Sequence, residues 1–258
     1  MYNIKNMPII TFITDFGLKD PYIAMMKGRI LSIHSGINCV DITHDIECGD
    51  IQTASLILKE SYQYFPKGSV HLVVVDPTVG SKRRAIFSYH CGHFFVGPDN
   101  GVLSPTLSEV FKIRKKTGTV SNTFEGRDVL APVAAHLAIG EDPESLGVRI
   151  DDPVRIGLPI PEVEEDRIIG EIIHIDNFGN LISNIEGDLI PKGDIEIEIK
   201  GNKINGLSRS YKEGKDGRLI GLINAGFGML EVSLYKGSAA SFLNCNKGGR
   251  IVIRRKDE

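Results

Sequence analysis

The chain has 258 residues, 41% of them hydrophobic and 24% charged, and a formal net charge of −3. That balance fits one large or two modest globular domains; it excludes wholesale disorder and a nucleic-acid partner gripped by a basic face. No apolar run reaches the roughly 20 residues of a membrane span, and no charged-then-apolar leader precedes PIITFITDFG, so a cytoplasmic protein with no membrane partner is expected.

PIITFIT (8–14) is a continuous apolar run closing on Asp15 and reads as a buried parallel strand. Asp20 then stands where a helix cap would, with Pro21 in the first turn of a helix running to about His34. INCVDIT (37–43) predicts the second strand. GDIQTASLILKESYQYF predicts an amphipathic helix stopped by Pro66, with Ile51, Ala54, Leu58, Tyr62 and Phe65 on one face. SVHLVVV (69–75) predicts the third strand, with Asp76 at its tip, and DVLAPVAAHLAIG (128–140) a helix closed by Gly140. Strand–helix alternation predicts an α/β domain with a mainly parallel sheet over residues 1–155. IGLPIPEVEED then breaks the pattern with prolines and an acidic run, a linker at about 156–165. From 166 to 258 only short strand candidates follow (IIGEIIHID, LISNI, DIEIEIK, LIGLIN, MLEVSLY and RIVIRR), which predicts a smaller all-β domain of barrel or sandwich type.

Cys39, Cys48, Cys91 and Cys245 form no C-x-x-C pair and are expected to be reduced. His90-Cys91-Gly92-His93 lies between AIFSY and FFVG, so Gly92 marks a hairpin turn, and no metal site is expected. There is no G-x-G-x-x-G, no G-x-x-x-x-G-K-[ST] and no G-x-S-x-G, which disfavours dinucleotide enzymes, P-loop enzymes and esterases with an elbow serine. The polar groups that remain sit at strand ends, where α/β sheets bind ligands. Asp15 and Asp76 close apolar strands, in which an unpaired carboxylate is costly. GPDNGVLS (97–104) and DNFGN (176–180) are polar turns.

Taken in order, TDFGLKDPY, DITHDI, VVVDPTVGSKRR, GPDNGVLS, TFEGRDVLAP, DNFGN and GFGMLEVSLYKGSAA resemble the S-adenosyl-L-methionine (SAM) hydrolases. This family, the SAM hydroxide adenosyltransferases, is related to SAM-dependent fluorinase and chlorinase. The resemblance spans nearly the whole chain. It implies cleavage of SAM by water or hydroxide at ribose C5′ to adenosine and L-methionine, with SAM as substrate and no cofactor. It also implies a homotrimer whose sites lie between subunits.

By the same resemblance Asp15 holds the ribose hydroxyls, and Asp176, Phe178 and Asn180 form the turn that grips the methionine end. Asn224 to Met229, including Phe227, and Gly237 to Ala240, including Ser238 and Ala239, hold adenine. Asp20 is either a further methionine contact or a helix cap. Asp76 and Arg83 match two members of an Asp–Arg–His set around the attacking water. The third position carries Glu125, in TFEGRD, where the family pattern is TFHGRD. A carboxylate accepts a proton or pairs with Arg83, but it does not donate as neutral imidazole does. Arg127 and Asp128 follow at once, so a structural ion pair is the competing role for Glu125. Two functional alternatives stay open: a SAM- or adenosine-binding protein with little turnover, and a SAM-dependent halogenase.

Overall fold

The buried runs at 9–14 and 70–74 lie side by side in the computed structural model, which describes residues 7–114, 124–215 and 217–256. Thr123, the first residue of TFEGRD, lies outside these. The chain divides into two units, the first ending at Ile156 and the second starting at Gly157.

The first unit runs β1 (Ile9–Thr14), α1 (Tyr22–Ile33), β2 (Asn38–Thr43), α2 (Ile51–Ser61), β3 (Val70–Val74), β4 (Ala85–His90), β5 (His93–Pro98), β6 (Glu109–Ile113), a π-helical turn (Gly126–Leu130), α3 (Ala131–Ala138), α4 (Pro143–Leu146) and β7 (Gly147–Ile150). Its seven strands are ordered β2-β1-β3-β5-β4-β6-β7. Met26 and Ile30 of α1 and Val133 and Ala134 of α3 share a core with Ile10, Phe12 and Leu72. Ala54 and Leu58 of α2 pack with Ile13, Val73 and Phe95 in a second core. A strand contributing to two cores has no polar face, hence the unbroken apolar runs.

The sheet is mixed, not mainly parallel. β2, β1, β3 and β5 pair in parallel, whereas β5–β4, β4–β6 and β6–β7 are antiparallel. The reversal comes from the hairpin at Cys91 and Gly92, both at positive φ (48° and 87°), with His90 opposite His93. A two-residue turn of this kind can join only antiparallel strands. The expected Asp20 cap does not form. Pro21 takes the cap position itself, its carbonyl accepting Met25 N–H at 2.9 Å with no side-chain cap bond, which leaves Asp20 one residue too early. Asp50 does cap α2, accepting Thr53 N–H at 3.0 Å.

The second unit comprises β8 (Glu162–Val163), β9 (Arg167–Ile175), β10 (Leu181–Glu186), β11 (Ile195–Ile199), β12 (Asn202–Asn205), β13 (Leu219–Ile223), β14 (Met229–Leu234), a short α5 (Ala239–Leu243) and β15 (Arg250–Arg255). The strands run β12-β11-β15-β9-β10-β14-β13, with β8 on β9, and every strand pair is antiparallel. Ser208 N–H donates to Gly221 O at 2.7 Å beside a Leu207–Gly221 bridge, bringing the two ends of the sheet nearly into a closed barrel. Its core holds Ile168, Leu181, Ile197, Leu230, Val232 and Ile253. Among the described residues no helix is long and apolar enough to cross a membrane.

Candidate active site

β3 is buried at every position, and Val75 after it is 0% exposed, so Asp76 is the first residue that can reach solvent. Thr78 donates to Asp76 Oδ1 from its hydroxyl at 3.0 Å and its backbone at 3.2 Å, folding the chain back at once. The turn then returns Arg83. Its Nε donates to Asp76 Oδ2 at 2.8 Å and its Nη2 to the same oxygen. Nη2 also lies 2.6 Å from Glu125 Oε2. The three side chains are nearly buried, with 6% of Asp76, 9% of Arg83 and 11% of Glu125 exposed. Burial alone would lower the Arg83 pKa. The hydrogen bonds and charges of Asp76, then of Glu125, outweigh it and hold the guanidinium above its usual value. Arg83 is therefore a permanent cation between two acids. Glu125 is in an ion pair with Arg83, while Arg127 turns to Asp128 at 2.7 Å.

Glu125 reaches Arg83 because Gly126 opens the π-helical turn ahead of α3. A Cβ at Gly126 would sit 3.3 Å from Val74 Cγ1, so glycine lets this turn press against β3. The three charged groups line a cavity of about 440 Å³. Its wall includes an aromatic trio that sequence reasoning did not single out. Phe16, Tyr22 and Phe124 meet edge to face with centroids 5.4 to 6.1 Å apart. Phe16 and Tyr22 flank Asp15 and Asp20 in TDFGLKDPY, so the motif was noticed for its acids while its rings form the wall. Asp15 accepts Gly49 N–H at 2.9 Å, and neither it nor Asp20 lines the cavity. A small anionic cluster with a fixed cation and an aromatic wall suits a cationic organic substrate and a water held for attack.

In the second unit Asp176 organises DNFGN. It accepts Phe178 N–H and Asn180 N–H at 2.9 Å each on Oδ1, and Asn180 Nδ2 at 2.8 Å on Oδ2. Phe178 is 76% exposed and Asn180 6%. Gly179 has φ of 81°, and a Cβ there would lie 2.0 Å from Ser238 Oγ. Ala240 N–H donates to Gly179 O at 2.9 Å, so the structure brings DNFGN against the segment holding Ser238 and Ala239. Ser238 caps α5 through Ser241 N–H, and Ala239 is buried. Asn224 gathers the Gly226 and Phe227 amides on Oδ1 at 2.8 and 2.9 Å and donates to the fully buried Glu231. Burial, then the charge and hydrogen bond of Glu231, push the Tyr211 hydroxyl up to about 12, and Asp176 adds to the effect. Glu231, in β14, and Tyr211, in a helical turn at 211–214, were not singled out from the sequence.

Cys39, Cys48, Cys91 and Cys245 are free thiols. Among the described residues no group of three or more His, Cys, Asp or Glu is placed to hold a metal ion.

Family models of the SAM hydroxide adenosyltransferase N-terminal and C-terminal domains match residues 10–147 and 170–252. The chain is 37% identical to the (R)-S-adenosyl-L-methionine hydrolase of Methanocaldococcus jannaschii, over 96% of each chain. It is 28% identical to a fluorinase of Actinoplanes sp., over 73% of this chain and 75% of that one. The crystal structure of an uncharacterized conserved protein from Thermotoga maritima superposes with a TM-score of 0.88 at 32% identity, covering 95% of this chain and all of that one.

Proposed function

Because the chain belongs to the SAM hydroxide adenosyltransferase family, we propose that its Asp76–Arg83–Glu125 cluster holds and activates the water that cleaves S-adenosyl-L-methionine. The protein is a hydrolase that converts SAM to adenosine and L-methionine. The (R) sulfonium epimer, named for the M. jannaschii relative, is the inferred substrate. Water oxygen bonds to ribose C5′, the C5′–S bond breaks, and its electron pair stays on sulfur. Methionine thus leaves as a neutral thioether, one proton is released from the water, and no general acid is needed at sulfur. This balance calls for no cofactor.

The observation that carries the reading is Arg83 clamped between Asp76 and Glu125 at the rim of an aromatic-walled cavity. One carboxylate is neutralised by the guanidinium and the other keeps the cluster anionic. Asp76 accepts the water's hydrogen bond or proton, which typically contributes about 10²–10⁴-fold. Arg83 stabilises hydroxide as it forms. Positioning the water in line with C5′–S contributes up to about 7–11 kcal/mol in favourable systems. Glu125, where the family pattern has histidine, serves as the second acceptor and holds Arg83 from the opposite side.

The same cluster argues against halide. An anion about 4 Å from an unneutralised carboxylate is repelled by about 4 kcal/mol at an effective dielectric near 20. Asp15 holds the ribose. Asp176, Phe178 and Asn180, with Asp20, take the methionine end. Asn224, Phe227, Ser238 and Ala239 take adenine. We infer a cytoplasmic homotrimer in which the first unit of one subunit completes its site with the second unit of a neighbour. The family resemblance supports these assignments, and the hydrogen-bonded turns at 176–180 and 224–229 suit them.

The deciding experiment is HPLC of purified protein incubated with SAM, with and without chloride. Adenosine and methionine formed at a chloride-independent rate carry the reading. A 5′-halo nucleoside would make the protein a halogenase, and SAM bound but unchanged would make it a binding protein.

A further inference from the structure

We propose that Asn100, with Asp99 beside it, is a positioning residue that holds both ends of the turn carrying Asp76 and Arg83; the inference rests on the hydrolase reading above. Residues 77–82 are exposed throughout, so no core packing fixes this turn. Yet the acid before it and the guanidinium after it must stay in register with Glu125.

The fixing comes from the neighbouring turn after β5. Asn100 Nδ2 donates to Val75 O at 2.9 Å, the last carbonyl before Asp76. Asn100 Oδ1 accepts Val102 N–H at 3.1 Å, so both ends of the amide are used and neither a hydrocarbon nor a carboxylate replaces it. At the far end Asp99 N–H donates to Arg84 O at 2.9 Å, and that carbonyl also accepts Arg83 Nη1 at 3.2 Å. The Asp99 carboxylate, 2% exposed, takes Arg84 Nε at 2.6 Å on one oxygen and Val154 N–H at 2.8 Å on the other. Two adjacent residues thus grip the chain at Val75 and Arg84, the two ends of the exposed turn. Neither lines the cavity, so they act only through the residues they hold.

Ser104 supplies a matched control. It braces the same turn from its other side, its hydroxyl donating to Gly101 O at 2.6 Å and accepting Ile156 N–H at 2.8 Å, both partners outside residues 75 to 84. Steady-state SAM hydrolysis and thermal melting are measured for the wild type, Asn100→Asp, Asn100→Ala and Ser104→Ala. Asn100→Asp sets an oxygen against Val75 O, and Asn100→Ala removes the donor without adding repulsion, so at least one folded variant is available. The expected result is a kcat lower by about 10- to 100-fold with KM within about twofold for either Asn100 variant. Ser104→Ala should lose Tm and keep wild-type kcat. Asn100 variants that retain kcat, or Ser104→Ala losing as much kcat for the same loss of Tm, overturn the inference while the hydrolase reading stands. A wild type that forms no adenosine overturns the reading, and the inference with it.

Discussion

At Asp76 one carboxylate oxygen is committed to Arg83 while the other accepts the Thr78 amide and hydroxyl. Replacing Asp76 by asparagine keeps the shape and removes the base. SAM hydrolysis followed by HPLC should show kcat lower by about 10²–10⁴-fold, with little change in KM. Arg83 carries a different load. Arg83→Met leaves two nearly buried carboxylates facing each other without their cation, a loss of about 3–5 kcal/mol by analogy with broken buried pairs. Removing the Glu125 charge as well, in Arg83→Met/Glu125→Gln, should recover much of that deficit in urea titrations. A deficit that the second substitution leaves unchanged would show that the acids are not what Arg83 offsets. At this scale the sequence was informative: a valine run ending on Asp76 located the acid. Only the family resemblance set Glu125 beside Arg83, because the 41 residues between them carry no distance information and the folded sheet is what brings them together.

Among the elements, β3 shows what alternation in sequence conceals. His71 lies in its middle, fully buried, with Nδ1 2.8 Å from Thr11 Oγ1 and Nε2 3.3 Å from His93 Nδ1. Burial, reinforced by His93, lowers its pKa from 6.5 to about 3. As pH falls, the unfolded chain therefore takes up the proton first. The stability His71 permits is complete above about pH 6.5 and is lost progressively towards pH 3, on the order of 5 kcal/mol across the window. Replacing it with neutral glutamine should flatten the pH dependence of urea unfolding between pH 7 and 4. In the second unit, Gly179→Ala forces a side chain into a positive-φ turn against Ser238. A cost of about 1–3 kcal/mol, read as a lower Tm and a raised KM for SAM, is the expected outcome. The strands of apolar runs, β1, β3 and most of the second unit, were readable because buried strands announce themselves that way, whereas β6 and β7 were not singled out. Direction was readable only in part: Gly92 marked the hairpin that sets β4 against β5, but nothing in a continuous apolar strand told that β6 and β7 also pair antiparallel. Short pieces such as β12 and α5 were missed, since four or five residues carry too little periodicity.

Over the whole molecule, the substrate is a cation and the products are neutral or zwitterionic, while the active cluster bears two acids and one base. Chloride at 0.5 M should therefore leave the SAM rate unchanged apart from ordinary ionic-strength effects, which a sulfate salt at the same ionic strength matches. Rate loss specific to chloride would show that an anion enters the cavity. The proposed trimer is checked by light scattering on the eluting protein. If sites require neighbouring subunits, specific activity should fall on dilution as trimers dissociate, and a monomer with full activity would reject the shared site.

The π-helical turn at Gly126–Leu130 has a consequence of its own for how such a site changes over time. A π turn amounts to one residue inserted into an ordinary helix, and it sits between Glu125 and the packed face of α3. Deleting one residue there would swing Glu125 about 100° around the helix axis while α3 kept its seat. Substitutions around Arg83 tune its charge by degrees; a single in-frame codon loss would switch one of its two acids off in one step.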